Sequence, residues 1–318
     1  MEQKKMEQKI TEVVRQLDIR RLELFKFLYF LATKRQTKTK DLIRKTGQPE
    51  KQIRRLLRFF ADYLEPPTQK VVVKKSERKE IEDYSRKMIK QIVFGNSALV
   101  KKVLTKYKKS RPVPDRKYDQ FTSTIITTAK RGLKMARNGD FWQRNVAVLG
   151  DDDLTSVAIA LSGQVKKVTV FEVDDRIVNL INKICQQEKL SIEVIKHDLR
   201  CPLPKKYLNC FDTVFTDPPY TNSGISLFLN RAIELIKDNY GSRIYLCYGN
   251  SDRAREREVI IQEVINEKGL LINSKKYQFN KYLGAESIGS SSSLYLLDWT
   301  PKTKITKVDF ENKFYTNE

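Results

Sequence analysis

Histidine is almost missing: His197 is the only one in 318 residues. No histidine-built metal centre can form, and a Ser-His-Asp triad has a single candidate base. The four cysteines, Cys185, Cys201, Cys210 and Cys247, make no C-x-x-C pair. A zinc knuckle or dithiol redox site is therefore not expected, and free thiols are. No stretch approaches the ~18 uninterrupted apolar residues of a membrane helix. Met1-Glu2-Gln3-Lys4-Lys5 leads into a charged helix rather than the apolar core of a secretory signal, so a cytoplasmic location is expected. Hydrophobic residues at 40% and charged ones at 31% suit a soluble globular chain, and the length suits about two domains.

Acidic residues are thin in the front of the chain. Residues 1–140 hold 37 of the 61 basic and 16 of the 39 acidic side chains, whereas 141–318 hold 24 and 23. The net charge of +22 thus sits almost wholly in the first part. A front half that meets a polyanion is one reading. A chain made lysine-rich for solubility or heat tolerance is the other.

From Glu7 to Ala32, apolar residues recur mostly at three- and four-residue steps, which predicts one amphipathic helix. A short helix around Asp41-Leu42-Ile43 stops at Gly47-Gln48-Pro49. Over 50–63, Ile53, Leu56, Leu57 and Phe60 share one face, and Lys51, Arg54, Arg55 and Arg58 share the other. Residues 65–73 read as a turn and a short β-ribbon. This is the layout of a winged helix-turn-helix. Residues 76–107 look helical and polar, and the two prolines in 108–114 mark a linker. The expected division is 1–75 winged helix, 76–112 helical connector and linker, and 113–318 catalytic domain.

After Asp140 short apolar runs alternate with helical stretches. Val146-Leu149, Val168-Phe171, Ile192-Ile195, Val214-Thr216 and Ile244-Cys247 read as strands, with Leu270-Phe279 and Leu294-Asp298 as later candidates. Helices are expected over 120–138, 154–162, 175–188, 224–238 and 252–268. The rhythm predicts an α/β fold with a Rossmann-like, seven-stranded, mostly parallel sheet and right-handed crossovers.

The strand ends carry the chemistry. The first ends in Gly150-Asp151-Asp152-Asp153, where a nucleotide fold places its glycine-rich turn. A run of acids can also be a solvated helix start. The second strand ends in Glu172-Val173-Asp174-Asp175; Glu172, then Asp174, is the candidate partner of ribose hydroxyls, and Asp174 also suits a helix cap. Asp198 follows the third strand and could receive an adenine amino group. The fourth ends in Asp217-Pro218-Pro219-Tyr220. Its prolines fix the backbone, its carbonyls and carboxylate accept from an amine, and Tyr220 offers a flat face to a base or cation.

This order resembles the class I S-adenosylmethionine-dependent methyltransferase fold. The D-P-P-Y string alone is familiar from enzymes that methylate exocyclic amino groups of nucleic acids. G-D-D-D together with D-P-P-Y, behind a winged-helix front, resembles the branched-chain polyamine synthases, the N4-bis(aminopropyl)spermidine synthases of thermophiles. Tyr118-Asp119-Gln120 and Gly284-Ala285-Glu286-Ser287-Ile288-Gly289 extend the likeness. It implies transfer of aminopropyl groups from decarboxylated S-adenosylmethionine to the secondary amine of spermidine, releasing methylthioadenosine. It implies no permanently bound cofactor, no metal and a homodimer. Asp153 or Asp152 would stand near the attacking nitrogen, with Asp217 and Pro218 orienting it. Gly150, Asp151, Glu172, Asp174 and Asp198 would hold the donor. Tyr118, Asp119, Tyr220 and Glu286 would meet the polyamine, although Asp119 could instead cap the following helix.

The charges favour that donor independently. S-adenosylmethionine carries a carboxylate, which is usually seated near this first turn. Here three acids occupy the turn, and like charges ~4 Å apart repel by ~1 kcal/mol in water and several times that at a protein surface. A donor ending in an ammonium suits the loop. The alternative is an amino-methyltransferase acting on DNA or RNA, with the basic helix as its reader. A transcriptional regulator with a ligand-binding back half is a third reading.

Overall fold

The computed structural model describes residues 2–17, 19–66, 68–94, 97–162, 165–249, 255–284, 289–308 and 313–316. They fall into two compact units, Met1–Phe94 and Gly95–Glu318.

The first unit contains α1 (Glu2–Leu17), α2 (Arg21–Thr33), α3 (Thr39–Thr46), α4 (Glu50–Phe59) and α5 (Lys75–Phe94). The single helix expected over 7–32 is two. Arg20 is extended, with φ −71° and ψ 140°. The reason lies in burial. On α1 Met6, Ile10, Val13 and Leu17 form one buried stripe, whereas α2 is buried almost all round, from Leu22 to Ala32. One straight rod could not present both patterns to the same neighbours. Gly47, at φ 68°, ends α3 in the left-handed conformation, and its N–H caps the Ile43 carbonyl. Ile53, Leu56 and Phe60 are buried under α4. Bridges Thr37 to Val71 and Leu64 to Val73 tie down residues 64–73.

The second unit begins with α6 (Ser97–Lys106) and α7 (Ile125–Arg137). The stretch expected as a connector therefore divides. Helix α5 packs on α2 in the first unit, while Val100, Val103, Leu104 and Tyr107 join the core of the second. Seven strands follow: β1 (Asn145–Leu149), β2 (Lys167–Glu172), β3 (Ile192–Lys196), β4 (Thr213–Thr216), β5 (Arg243–Gly249), β6 (Leu271–Lys281) and β7 (Ser291–Asp298). Their order is β3-β2-β1-β4-β5-β7-β6. The first five are parallel, and β7 and β6 are antiparallel, so the sheet is mixed.

Helices α8 (Thr155–Leu161), α9 (Asp175–Glu188), α10 (Asn222–Leu235) and α11 (Arg255–Glu267) cover the two faces. Alternation along β1 shows why both must be covered. Val146 and Val148 belong to one core with α6 to α9, and Ala147 and Leu149 to the other with α10 and α11. Each fully buried branched side chain contributes about 1.5–3 kcal/mol, so neither face can stay wet. No helix among the described residues is long and apolar enough to cross a membrane.

Candidate active site

Strand order reverses between β1 and β4, and the crevice at such a switch point is where an open α/β sheet binds ligands. Register pairs Leu149 with Thr216 and with Phe171. The turns after β1, β2 and β4 therefore meet there. Gly150 takes φ 69°, and Leu154 is held at φ 58°, a conformation uncommon for a branched residue.

The four acids of the two specific strings have different surroundings. Asp151 is 2% exposed and accepts from the Ser156 N–H and hydroxyl. Burial, with Glu172 adding to it, pushes its carboxyl up to about 8. Asp153, 3% exposed, is clamped: Arg111 lies at 2.6 Å, Arg131 at 2.7 Å and the Ser123 N–H at 2.6 Å. Asp217 accepts from Arg131 at 2.7 Å and from the Tyr282 hydroxyl at 2.7 Å. Burial raises its carboxyl, Arg131 opposes the rise and Asp153 adds to it. Asp152 is unlike the others. Its backbone carbonyl accepts from Arg111, but among the described residues no donor meets its carboxylate. Burial and the charge of Asp153 push that carboxyl well above the usual range, against Arg111.

Glu172 turns inward and shapes the loop. Oε2 accepts the Asp151 N–H at 2.7 Å, and Oε1 accepts those of Val173 and Asp174 at 2.8 and 2.9 Å. Three of its four acceptor positions are thus used. Burial raises its carboxyl, and these N–H groups oppose the rise. Asp174 caps α9 by accepting the Arg176 N–H, and it also holds the Arg176 guanidinium and Gln120. Both oxygens of Asp198 face Arg200.

On the far side, Pro218 and Pro219 are buried and Tyr220 packs against Tyr248, ring centroids 4.9 Å apart. Asp119 does not cap α7; the Thr124 side chain does, accepting the Thr127 N–H. Asp119 accepts from Thr316, and Tyr118 meets Tyr315 edge to face at 5.9 Å. Glu286 lies outside the described residues.

Arg131, Arg111 and Tyr282 were not among the residues expected at the site. Arg131 is 1% exposed and joins both acidic turns, with Nε on Asn280 at 2.9 Å and a second contact to Tyr282 at 3.0 Å. Its signal was local: an arginine on the threonine face of a helix, beside Thr127 and Thr128, two other buried positions. Tyr282 offered none, because it arrives from β6 across the sheet edge, where residue 123 bridges residue 282.

Comparison with known proteins locates the chain. The family model for the branched-chain polyamine synthase A C-terminal domain matches residues 99–317. The N(4)-bis(aminopropyl)spermidine synthase of Methanocaldococcus jannaschii is 38% identical over 176 residues, which is 55% of this chain and 50% of that protein. The chain spans about half the length of the curated relatives it matches. The crystal structure of the branched-chain polyamine synthase from Thermus thermophilus, in complex with N4-aminopropylspermidine and 5'-methylthioadenosine, matches with TM-score 0.62 and 21% identity, covering 97% of this chain and 96% of that one. A candidate RNA methyltransferase from Pyrococcus horikoshii matches with TM-score 0.52 and 18% identity, over 64% of this chain and 98% of its own. At those identities the likeness is one of fold.

Proposed function

Because this chain belongs to the branched-chain polyamine synthase family through its C-terminal domain, we propose that it transfers aminopropyl groups from decarboxylated S-adenosylmethionine to the secondary amine of spermidine. The observation that carries the reading is the Asp152 carboxylate, which meets no donor among the described residues while Asp151, Asp153 and Asp217 beside it are all held.

The spermidine nitrogen attacks the methylene carbon beside the sulfonium in line. The C–N bond forms, the C–S bond breaks, and its electron pair leaves with neutral methylthioadenosine. The nitrogen must first lose a proton. Asp152 takes it, and a carboxyl pushed upward by burial and Asp153 is closer in proton affinity to an amine than an ordinary aspartate is. Asp217, fixed by Arg131 and Tyr282, and the Pro218 carbonyl orient the same nitrogen. Asp153 supplies negative charge but serves chiefly to hold Arg111 and Arg131. Tyr220 offers its face to the cationic chain.

Gly150 and Asp151 form the donor's side of the turn. Glu172 has one acceptor position left for a ribose hydroxyl. Asp198 reaches an adenine amino group only by releasing one Arg200 contact. Asp174 supports the donor site indirectly, through the α9 cap. Tyr118 and Asp119 meet the polyamine on the side where residues 315 and 316 contact them. We read the first unit as a winged helix, on the α3–Gly47–α4 turn and the bridged ribbon. A homodimer and a cytoplasmic location complete the reading; light scattering tests the former.

Incubation with decarboxylated S-adenosylmethionine and spermidine, followed by mass analysis, tests the activity. Products heavier by one or two aminopropyl units are expected. Asp152→Asn is expected to lower kcat by about 10²–10⁴-fold with the fold intact. Methyl transfer alone from S-adenosylmethionine overturns the assignment.

A further inference from the structure

The positive charge of the first unit is not spread over it. Residues 34–75 carry 13 basic and 4 acidic side chains, a net of +9. Residues 1–33 carry 7 and 5, a net of +2, and residues 76–94 carry 5 and 4, a net of +1. Lysine enrichment for solubility would raise all three segments alike. The excess instead coincides with α3, the Gly47 turn, α4 and the bridged ribbon.

Within that segment the cations face outward. Lys51, Arg54, Arg55 and Arg58 are exposed, at spacings that keep them on one side of α4, opposite buried Ile53 and Leu56. The acids do little to neutralise them. Asp62 is drawn to Lys9 of α1 at 2.8 Å. Glu50 pairs with Arg54 in an exposed contact, which gives way easily to a stronger anion. Lys51 and Arg58 have no acidic partner among the described residues. Lys70, on the ribbon, is also exposed. An α-helix about 10–12 Å across fits the major groove of B-form DNA, about 12 Å wide.

We infer that residues 34–75 form a docking surface for duplex DNA, with α4 in the major groove and Lys70 on a flanking phosphate. The inference rests on the winged-helix reading of this unit and not on the transfer chemistry. The surface is tolerant of base sequence. Gln52 is the only side-chain amide on α4, and its Nε2 is turned in to the Leu17 carbonyl at 3.0 Å. What faces out is cationic, and phosphate contacts position a protein without specifying sequence.

The test uses the full chain and a fluorescein-labelled DNA duplex of mixed sequence, with anisotropy read between 50 and 200 mM salt. Each neutralised phosphate adds about −0.9 to the slope of log affinity against log salt. Five contacts give a slope of about −4.5, a loss of a few hundred-fold across that range. The variant Lys51→Gln, Arg54→Gln, Arg55→Gln, Arg58→Gln is expected to reduce the slope by about 3 to 4. A control removes the same charge elsewhere: Lys5→Gln, Lys79→Gln, Lys87→Gln, Lys90→Gln, all exposed. It is expected to leave the slope near its original value. Equal losses in both variants overturn the inference, because they mark diffuse charge rather than a surface. So does no binding at 50 mM salt. Equal or tighter binding of an RNA duplex overturns it too, since the A-form major groove is too narrow for a helix. Aminopropyl transfer, measured on the same preparations, is expected to be unchanged in both variants. Its absence everywhere would count against the proposed chemistry and leave the DNA result standing.

Discussion

Replacing Arg131 by methionine removes the cation that spans the two acidic turns. Five hydrogen bonds go with it: to Asp153 and Asp217, each at 2.7 Å, to Asn280 at 2.9 Å, to Tyr282 at 3.0 Å and to the Thr155 hydroxyl at 3.5 Å. The carboxylates do not suffer equally. Asp153 keeps Arg111 and the Ser123 N–H, while among the described residues Asp217 keeps only the Tyr282 hydroxyl. Breaking a buried ion pair from one side costs about 3–5 kcal/mol, a large part of the ~5–15 kcal/mol that holds a domain folded. Asp217 can escape part of that by taking a proton. Its carboxyl already lies above the ordinary range through burial, and loss of Arg131 raises it further. A folded-state value above the unfolded one means that stability is retained at low pH and lost as pH rises. The loss should therefore be smaller near pH 5 than near pH 8. Urea unfolding followed by tryptophan fluorescence reads this cleanly, because Trp142 and Trp299 both lie in the second unit. Adding Asp217→Asn to Arg131→Met should recover about 1 kcal/mol or more at pH 8, as coupled neighbours do. A loss under about 1 kcal/mol, or one identical at both pH values, would refute the idea that Arg131 neutralises these acids.

Asp151, raised to about 8, holds a proton in the folded state that the unfolded chain releases near 4. Between those values its contribution should weaken with rising pH by up to about 1.4 kcal/mol per unit, and Asp151→Asn should flatten that part of the unfolding profile. Lys268, fully buried against Ser226, Asn230 and Thr306, is lowered by burial to about 8. Its penalty is present below pH 8 and should fade toward the unfolded value near 10.4, an alkaline gain in stability that Lys268→Met should abolish. At Gly224 a methyl group would meet the Phe314 carbonyl at 2.6 Å. Gly224→Ala should therefore detach residues 313–316, and the Thr316 amide held by Asp119 should exchange faster with deuterium.

Much of the second unit was legible in the sequence. Five short β-rich runs separated by helical stretches led to five parallel strands within a residue or two of their expected ends. Strands buried on both faces must be apolar throughout, and that signal survives in one dimension. The two specific strings, Gly150–Asp153 and Asp217–Tyr220, stand at neighbouring strand ends for the same reason: parallel topology sends every β-to-α turn to one edge. The break between α1 and α2 was not legible, because three- and four-residue spacing continues through Arg20 while the buried side changes. Nor was the division of 76–107, whose two halves look equally polar but pack in different units.

Residue order and composition alone set which residue types stand at the strand ends and how charge is shared between the halves. Which of the three loop carboxyls is left without a donor among the described residues is a matter of packing. Three consecutive aspartates are equivalent in a string, yet Ser156 takes Asp151, Arg111 and Arg131 take Asp153, and no donor among the described residues meets the Asp152 carboxylate. Arg111 and Arg131 come from a preceding loop and helix packed onto the turn, and Ser156 from the helix that follows it. In a buried site, proximity of charges and not sequence distance sets each group's proton affinity.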